Sequence, residues 1–140
     1  MRYETTHPAA EPAKVHYRRC TVDLAGGAIR QEEVPCRNLE DVLGGFGRSF
    51  QELAERRITE AYCDRNPLIV NTGLLTGTNT MTGMRTYFSG YSALKGSKAG
   101  LPAAIWSAGS GNFGAKLKFT GLDELIFEGR SPGPVYAVIR

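Results

Sequence analysis

Residues 66–78 read Asn66-Pro67-Leu68-Ile69-Val70-Asn71-Thr72-Gly73-Leu74-Leu75-Thr76-Gly77-Thr78. The short apolar run at residues 68–70 predicts a buried β-strand, and the glycines and threonines after it predict a tight turn. Glycine lets backbone N–H groups approach a ligand closely, and the threonines add hydroxyl groups. The turn is therefore a candidate anion-binding loop at the end of a strand.

Three further loops have the same character. They are Gly44-Gly45-Phe46-Gly47, Thr82-Gly83-Met84-Arg85 and Gly109-Ser110-Gly111-Asn112-Phe113-Gly114. The first is equally well explained as a helix-breaking turn, whereas Arg85 offers a planar fork that suits phosphate. Several such loops on one sheet favour a nucleotide-like or pterin-like ligand. The chemistry then belongs to the cofactor, and the protein supplies its placement.

Apolar runs separated by turn-forming residues predict seven strands. They cover residues 15–24, 28–34, 68–70, 86–88, 103–106, 125–128 and 135–139. Gly26-Gly27 predicts a hairpin between the first two strands. Asn38 predicts the N-cap of a helix that runs to about Arg57, with a break at residues 44–47. Residues 115–119 form either a short strand or a helical turn.

Strands and helices do not alternate regularly along the chain, which predicts an α+β fold. We expect a mostly antiparallel or mixed β-sheet platform with one or two short helices. The length of 140 residues predicts a single domain over residues 15–140. Residues 1–14 are polar and contain two prolines, which predicts an extended N-terminal arm.

Composition limits the classes of partner. The net charge of +3 is scattered along the chain, which argues against a nucleic-acid-binding surface. No apolar run approaches the about 20 residues that span a membrane, and the first residues lack a signal-peptide core. Cys20, Cys36 and Cys63 are too widely spaced for a disulfide framework, a zinc pair or an iron–sulfur motif. We therefore expect reduced thiols in a cytoplasmic protein.

Residues that commonly carry catalysis are sparse. His7 and His16 each stand alone, and a lone histidine is more often structural than catalytic. Asp123-Glu124 is more simply the polar end of a turn before a strand than a pair of acids. The sequence has no nucleophile motif, no metalloprotease motif and no P-loop. We therefore predict no catalytic and no metal-binding residue in this chain.

The order of the motifs resembles the N-terminal domain of the aldehyde ferredoxin oxidoreductase family, the tungsten or molybdenum bis-pterin enzymes. The resemblance covers about residues 17–139. The matching segments are residues 22–29, 43–47, 67–78, 82–85, 111–123, 128–130 and 134–136. Each segment alone is a weak signal, but their order is specific.

This resemblance implies a sheet platform on which a tungsten- or molybdenum-bis-pterin cofactor lies. The arginine that matches the family, Arg85, is implied to contact a pterin phosphate, and the loop with Ser110 and Gly111 to line the cofactor. By this resemblance the cofactor-binding residues are Gly45, Gly47, Thr76, Gly77, Thr78, Arg85, Ser110, Gly111 and Asn112.

The family enzymes are several times longer, and their later domains carry the iron–sulfur cluster. The resemblance therefore implies a small subunit of a split oxidoreductase, with a larger cluster-bearing partner and no iron–sulfur cluster in this chain. The implied chemistry is aldehyde to carboxylic acid or a related low-potential reduction, and a homo-oligomer stays an open alternative. Residues 97–101 look inserted. Ala108 replaces a family asparagine, Ser110 replaces a glycine, and the run around Tyr91, residues 90–96, departs from the family pattern. These departures favour the alternative of a binding or structural module that lost the cofactor.

Overall fold

The computed structural model of the protein describes residues 15–36, 41–81 and 83–139. Within these residues the chain forms one six-stranded sheet and two helices. The elements are β1 (His16–Asp23), β2 (Ile29–Pro35), α1 (Gly45–Arg56), β3 (Leu68–Thr72), β4 (Thr86–Gly96), β5 (Pro102–Gly109), α2 (Phe113–Phe119) and β6 (Glu124–Glu128). The predicted arm, residues 1–14, lies outside the described residues.

The sheet is mixed, with the strand order β2-β1-β6-β3-β4-β5. Only β1 and β6 run parallel among these neighbours, and the other pairs are antiparallel. The predicted α+β fold with a mostly antiparallel or mixed sheet and two short helices is therefore confirmed.

The β1–β2 hairpin forms where the two glycines predict it. Gly27 has a φ of 72°, a conformation that costs glycine little. The Asp23 carboxylate accepts hydrogen bonds from the backbone N–H groups of Ala25 at 2.9 Å and Gly26 at 3.2 Å. This side chain closes the turn in the manner of an Asx turn.

The two helices pack on opposite faces of the sheet. On the α1 face, Leu53 packs with Ile69 and Ile126 of the central strands. On the α2 face, Leu117 packs with Val70 and Leu125, which alternate along the same strands. Because successive strand residues point to opposite faces, both faces of β3 and β6 are covered.

A charged layer lies between α1 and the sheet. Glu124 is fully buried at the start of β6, so its interpretation as the polar end of a turn is wrong. Its carboxylate accepts hydrogen bonds from Arg19 Nε at 2.6 Å and Asn71 Nδ2 at 2.8 Å. Glu52 on α1 also pairs with Arg19, at 2.6 Å, and with Arg56 at 3.1 Å. The layer ties the helix to β1, β3 and β6.

Two sequence predictions need correction. Residues 135–139 do not form a strand; they cross the α2 face, where Ile139 packs against the core beside Leu125, rather than lying along a sheet edge. The helix does not begin at Asn38: residues 37–40 lie outside the described residues, residues 41–43 are not helical, and α1 begins at Gly45. Gly44 has φ 91° and ψ −158°, so helical geometry begins only after it.

The remaining strand predictions are confirmed, and residues 115–119 form the helical alternative within α2. β4 and β5 extend beyond the predicted residues into a long hairpin. No helix among the described residues combines the length and apolar character needed to cross a membrane.

Candidate functional site

The glycine loops predicted from the sequence meet at one end of the sheet. β3 ends there, β4 begins there, and β5 ends beside the first residue of β4. Gly44 forms an antiparallel bridge with Gly73, and the N–H of Leu74 donates to the carbonyl of Leu43 at 3.2 Å. The start of α1 is therefore fixed to the turn that follows β3. We call this end of the sheet, residues 44–47, 73–78, 85 and 110–114, the glycine rim.

The third loop is fixed to the same turn by close packing. A Cβ atom on Gly114 would lie 2.6 Å from Oγ1 of Thr86 and 3.0 Å from Cγ2 of Thr76. A Cβ atom on Gly77 would lie 3.4 Å from Cα of Ala115. These glycines allow the start of α2 to sit directly on the turn after β3.

Gly114→Ala is expected to destabilise the protein by about 1–3 kcal/mol, because the added methyl group overlaps two threonine side chains in a packed contact. Urea unfolding of the purified chain measures the effect. Gly133→Ala is the matched control, because a Cβ atom there meets nothing within 4 Å. Equal midpoints for the two variants would contradict the packing of α2 on the turn.

The beginning of α1 is suited to an anion. The N–H groups of a helix's first turn have no intrahelical partners, and the helix dipole adds partial positive charge there. Gly44 makes no side-chain capping bond, and the first turn contains no acidic residue. Gly45 is buried beside the Tyr87 ring and Gly47 is half-buried, so Gly47 is the more accessible of the two.

The two threonines of the rim hold the turn together. Thr76 is buried; its hydroxyl accepts from the N–H of Gly73 at 3.0 Å and donates to the carbonyl of Arg85 at 3.4 Å. The hydroxyl of Thr78 donates to the carbonyl of Leu75 at 2.8 Å. Both hydroxyls have partners within the loop, so these residues shape the rim.

Other predicted residues are exposed on the rim. Arg85 is exposed directly before β4, and Ser110, Gly111 and Asn112 are exposed between β5 and α2. Gly111 has a φ of 101°, and a Cβ atom there would meet nothing within 4 Å, so the loop borders open space. These groups are the ones that a ligand on the rim can reach.

The sequence reasoning missed a charge asymmetry along the chain, and two of its basic residues, Arg85 and Lys116, are exposed at or beside the rim. Residues 65–122 contain six basic residues and no aspartate or glutamate. Among them, Lys116 is exposed just after the start of α2, while Lys118 pairs with Asp123. This segment without acidic residues is visible in the sequence, but the net charge of the whole chain, +3, does not indicate it.

An aromatic cluster borders the rim on the α1 side. The rings of Phe46 and Trp106 stack with centroids 5.5 Å apart and planes inclined by 19°. Tyr87 packs against both rings. Phe46 and Trp106 are each about half exposed. Offset stacking of this kind holds the start of α1 against β4 and β5.

A larger cleft lies away from the rim. It encloses about 780 Å³ on the α2 face, and Ile29, Leu68 and Phe127 are among the apolar side chains that line it. None of the predicted cofactor residues lines this cleft. The rim is therefore an open surface, as a platform requires, rather than an enclosed pocket.

A smaller cleft of about 490 Å³ opens beside the charged layer and reaches Tyr17 and Cys36. Burial, and next the neighbouring Cys36 thiol, raises the pKa of Tyr17 above its usual value. Burial alone would lower the pKa of Arg19, but Glu124, Glu52 and Glu32 together outweigh it and the pKa is raised. Tyr17 is thus neutral and Arg19 charged at neutral pH. Within the described residues, no three His, Cys, Asp or Glu side chains lie close enough to hold a metal ion.

The fold and the rim define a class of protein: an α+β sheet platform with glycine loops and an exposed arginine gathered at one end of the sheet. The family described as "Aldehyde ferredoxin oxidoreductase, N-terminal domain" matches residues 19–140. The chain therefore belongs to this family, and the resemblance stated from the ordered motifs is confirmed.

Its relatives include tungsten-containing aldehyde ferredoxin oxidoreductases. Those of Pyrococcus abyssi and Pyrococcus furiosus are 37% and 34% identical over 121 and 122 residues, or 84% and 85% of this chain. The chain spans only 19% of the length of each relative. A solved structure, the active site complex BamBC of benzoyl coenzyme A reductase with 1,5-dienoyl-CoA, matches with a TM-score of 0.73 and 31% identity. That match covers 84% of this chain and 18% of the other.

Proposed function

We propose that this chain is the small subunit of a split tungsten- or molybdenum-bis-pterin oxidoreductase. It forms the sheet platform that covers the cofactor, and a larger subunit with an iron–sulfur cluster completes the enzyme. The observation that carries this proposal is the convergence of three glycine loops and exposed Arg85 on one rim. The tungsten-containing relatives support the choice of cofactor.

The residues on the rim fit an anionic pterin. The uncapped start of α1 offers N–H groups at Gly45 and Gly47, and Arg85 offers a guanidinium for phosphate. Ser110 and Asn112 add exposed polar side chains beside the open space at Gly111. Thr76, Gly77 and Thr78 contribute by fixing the turn. When bound, the metal bis-pterin supplies two-electron redox chemistry, and this chain binds and orients it.

The partner is proposed from the length of the relatives. The chain spans only 19% of that length, and we propose that a separate subunit supplies the remaining parts of such an enzyme. The similar structure is described as a complex of two components, which supports a partner subunit. The proposed reaction is the oxidation of an aldehyde to a carboxylic acid, or a related low-potential reduction, in the cytoplasm. In this proposal no side chain of this chain ligates the cluster or the metal.

A non-catalytic module is the second candidate. Ala108 and Ser110 differ from the family pattern, and the hydroxyls of Thr76 and Thr78 are engaged within their own loop. In such a module the rim would contact a partner protein and would bind no cofactor.

Arg85→Ala separates the two candidates. We expect the complex purified from its native host to retain about tenfold less tungsten or molybdenum, because a charge-assisted phosphate contact contributes about 1.5–3 kcal/mol. Metal analysis per mole of complex measures this. Arg30→Ala is the control, because the Arg30 side chain is 71% exposed and lies on the edge strand β2 rather than on the rim. Undiminished metal in the Arg85 variant, or no metal in the unmodified complex, would contradict cofactor binding and favour the second candidate.

A further inference from the structure

The two edges of the sheet differ in how they are protected. Edge strands expose unpaired N–H and C=O groups, and natural proteins guard them with charges, prolines or bulges. β2 follows this rule, with Arg30, Glu32 and Glu33 along seven residues. β5 is guarded only at its start, where Pro102 lies beside an irregularity in the β4–β5 pairing; residues 103–109 are Ala-Ala-Ile-Trp-Ser-Ala-Gly and contain no charge. Among the described residues, β5 pairs with β4 and with no strand on its outer side.

The unguarded edge is also apolar on both faces. Ile105 is 41% exposed and Trp106 is 51% exposed, and these neighbours point to opposite faces of the strand. The β4–β5 hairpin adds Leu94 and Leu101, which are 93% and 47% exposed. A strand laid along β5 would satisfy its backbone groups and cover Ile105 and Trp106 from the side.

The charges around this edge select the kind of strand. Lys95 and Lys98 are exposed at the hairpin end of β5, and Arg85 and Lys116 are exposed at the other end. A second copy paired antiparallel would bring the lysines of one hairpin towards Arg85 and Lys116 of the other copy. Like charges in that position repel, whereas acidic residues beside Lys95 and Lys98 on an incoming strand are attracted.

We infer that β5 is the docking edge for the partner subunit, which adds an uncharged strand with acidic residues at the end that faces Lys95 and Lys98. The sheet would then continue from this chain into the partner, close to the glycine rim. The inference relies on the proposed function only for the existence of a partner, and otherwise stands on the edge itself.

Photo-crosslinking in the native host tests the inference. The probe p-benzoylphenylalanine is placed at exposed Ser107 on β5, or at exposed Gln31 on β2 as the matched control. We expect adducts at position 107 to map to a partner strand flanked by Asp or Glu, and position 31 to give none. Adducts between two copies of this chain, adducts to a basic or unstructured segment, or equal yields at both edges would overturn the inference.

A charge substitution provides the second test. Ser107→Lys places a guarding charge on the edge, and we expect roughly tenfold less partner to be retained at equal chain concentration, a change of about 1.4 kcal/mol. Gln31→Lys should retain it fully, and both isolated variants should unfold at the same urea concentration. Retention of the partner by Ser107→Lys would overturn the inference. Metal analysis of the same samples tests the proposed function independently of the docking edge. Metal-bearing complexes that crosslink only through position 31 would overturn docking at β5 and leave the proposed function intact.

Discussion

Glu124→Ala is expected to lower the free energy of unfolding by about 3–5 kcal/mol, because it removes one of the two buried carboxylates that balance Arg19 and Arg48. It also leaves the buried Asn71 amide without its acceptor. Glu124 is fully buried and is the 2.6 Å partner of Arg19 Nε. Arg48 Nε lies 3.6 Å from the same carboxylate and makes no hydrogen bond among the described residues. Removing the carboxylate therefore costs more than one hydrogen bond.

Denaturant unfolding of the purified chain measures this effect. An unchanged slope of the unfolding free energy against denaturant concentration indicates that only the stability of the native state has changed. Glu124→Gln keeps the shape of the side chain and removes its charge. Its free energy of unfolding should therefore lie between those of the unmodified protein and Glu124→Ala. Glu32→Ala is the matched control, because Glu32 is 39% exposed and lies 3.8 Å from Arg19. We expect about 0–1 kcal/mol there, as for other exposed ion pairs. A loss at Glu124 no larger than the loss at Glu32 would show that the charged layer does not hold α1 on the sheet.

The charged layer also shows where prediction from sequence stops. Arg19 and Glu124 are 105 residues apart, and Arg19 and Glu52 are 33 apart. Their meeting depends on the parallel pairing of β1 with β6, which places Arg19 opposite Glu124. No local pattern encodes that pairing, so Glu124 resembled an ordinary polar residue before a strand. Turn residues and apolar runs act locally, and for that reason the β1–β2 hairpin and the central strands were predictable.

The candidate site divides in the same way. The glycines and Arg85 were identifiable as loop residues, because glycine and arginine carry local signals in the sequence. The contacts that join the loops, Gly44 with Gly73 and Gly114 with Thr76 and Thr86, are long-range and required the structure. The assignment of cofactor contacts to individual residues stays a prediction.

Residues 135–139 show the limit of pattern alone. Their Val-Tyr-Ala-Val-Ile composition is typical of a strand, yet Val135 is 63% exposed and Tyr136 is 90% exposed. The sheet edges are occupied by β2 and β5, and the segment instead crosses the α2 face with Ile139 against the core. Strand propensity describes a residue that fits a half-buried sheet, and it does not supply a neighbouring strand.

Gly44→Ala is expected to destabilise the protein by about 2–4 kcal/mol, because two separate constraints require glycine there. Gly44 has φ 91° and ψ −158°, a region that residues with a Cβ atom rarely adopt. An added Cβ atom would also lie 3.1 Å from the carbonyl oxygen of Thr72 and 3.2 Å from the hydroxyl of Tyr17. Neither neighbour can withdraw easily, since one is strand backbone and the other is a buried ring.

Gly27→Ala separates backbone strain from crowding. Gly27 has a φ of 72°, but a Cβ atom there meets nothing within 4 Å, so this control should cost only about 1–2 kcal/mol. Hydrogen exchange of the Leu74 amide is the second measurement, because that N–H donates to the carbonyl of Leu43 beside the bridge. We expect the Leu74 amide to exchange faster in Gly44→Ala than in the unmodified protein. In Gly27→Ala its exchange rate should be unchanged. Equal destabilisation with an unchanged Leu74 amide would mean that the start of α1 is not held to the turn after β3. The glycine rim would then be three independent loops instead of one preformed surface.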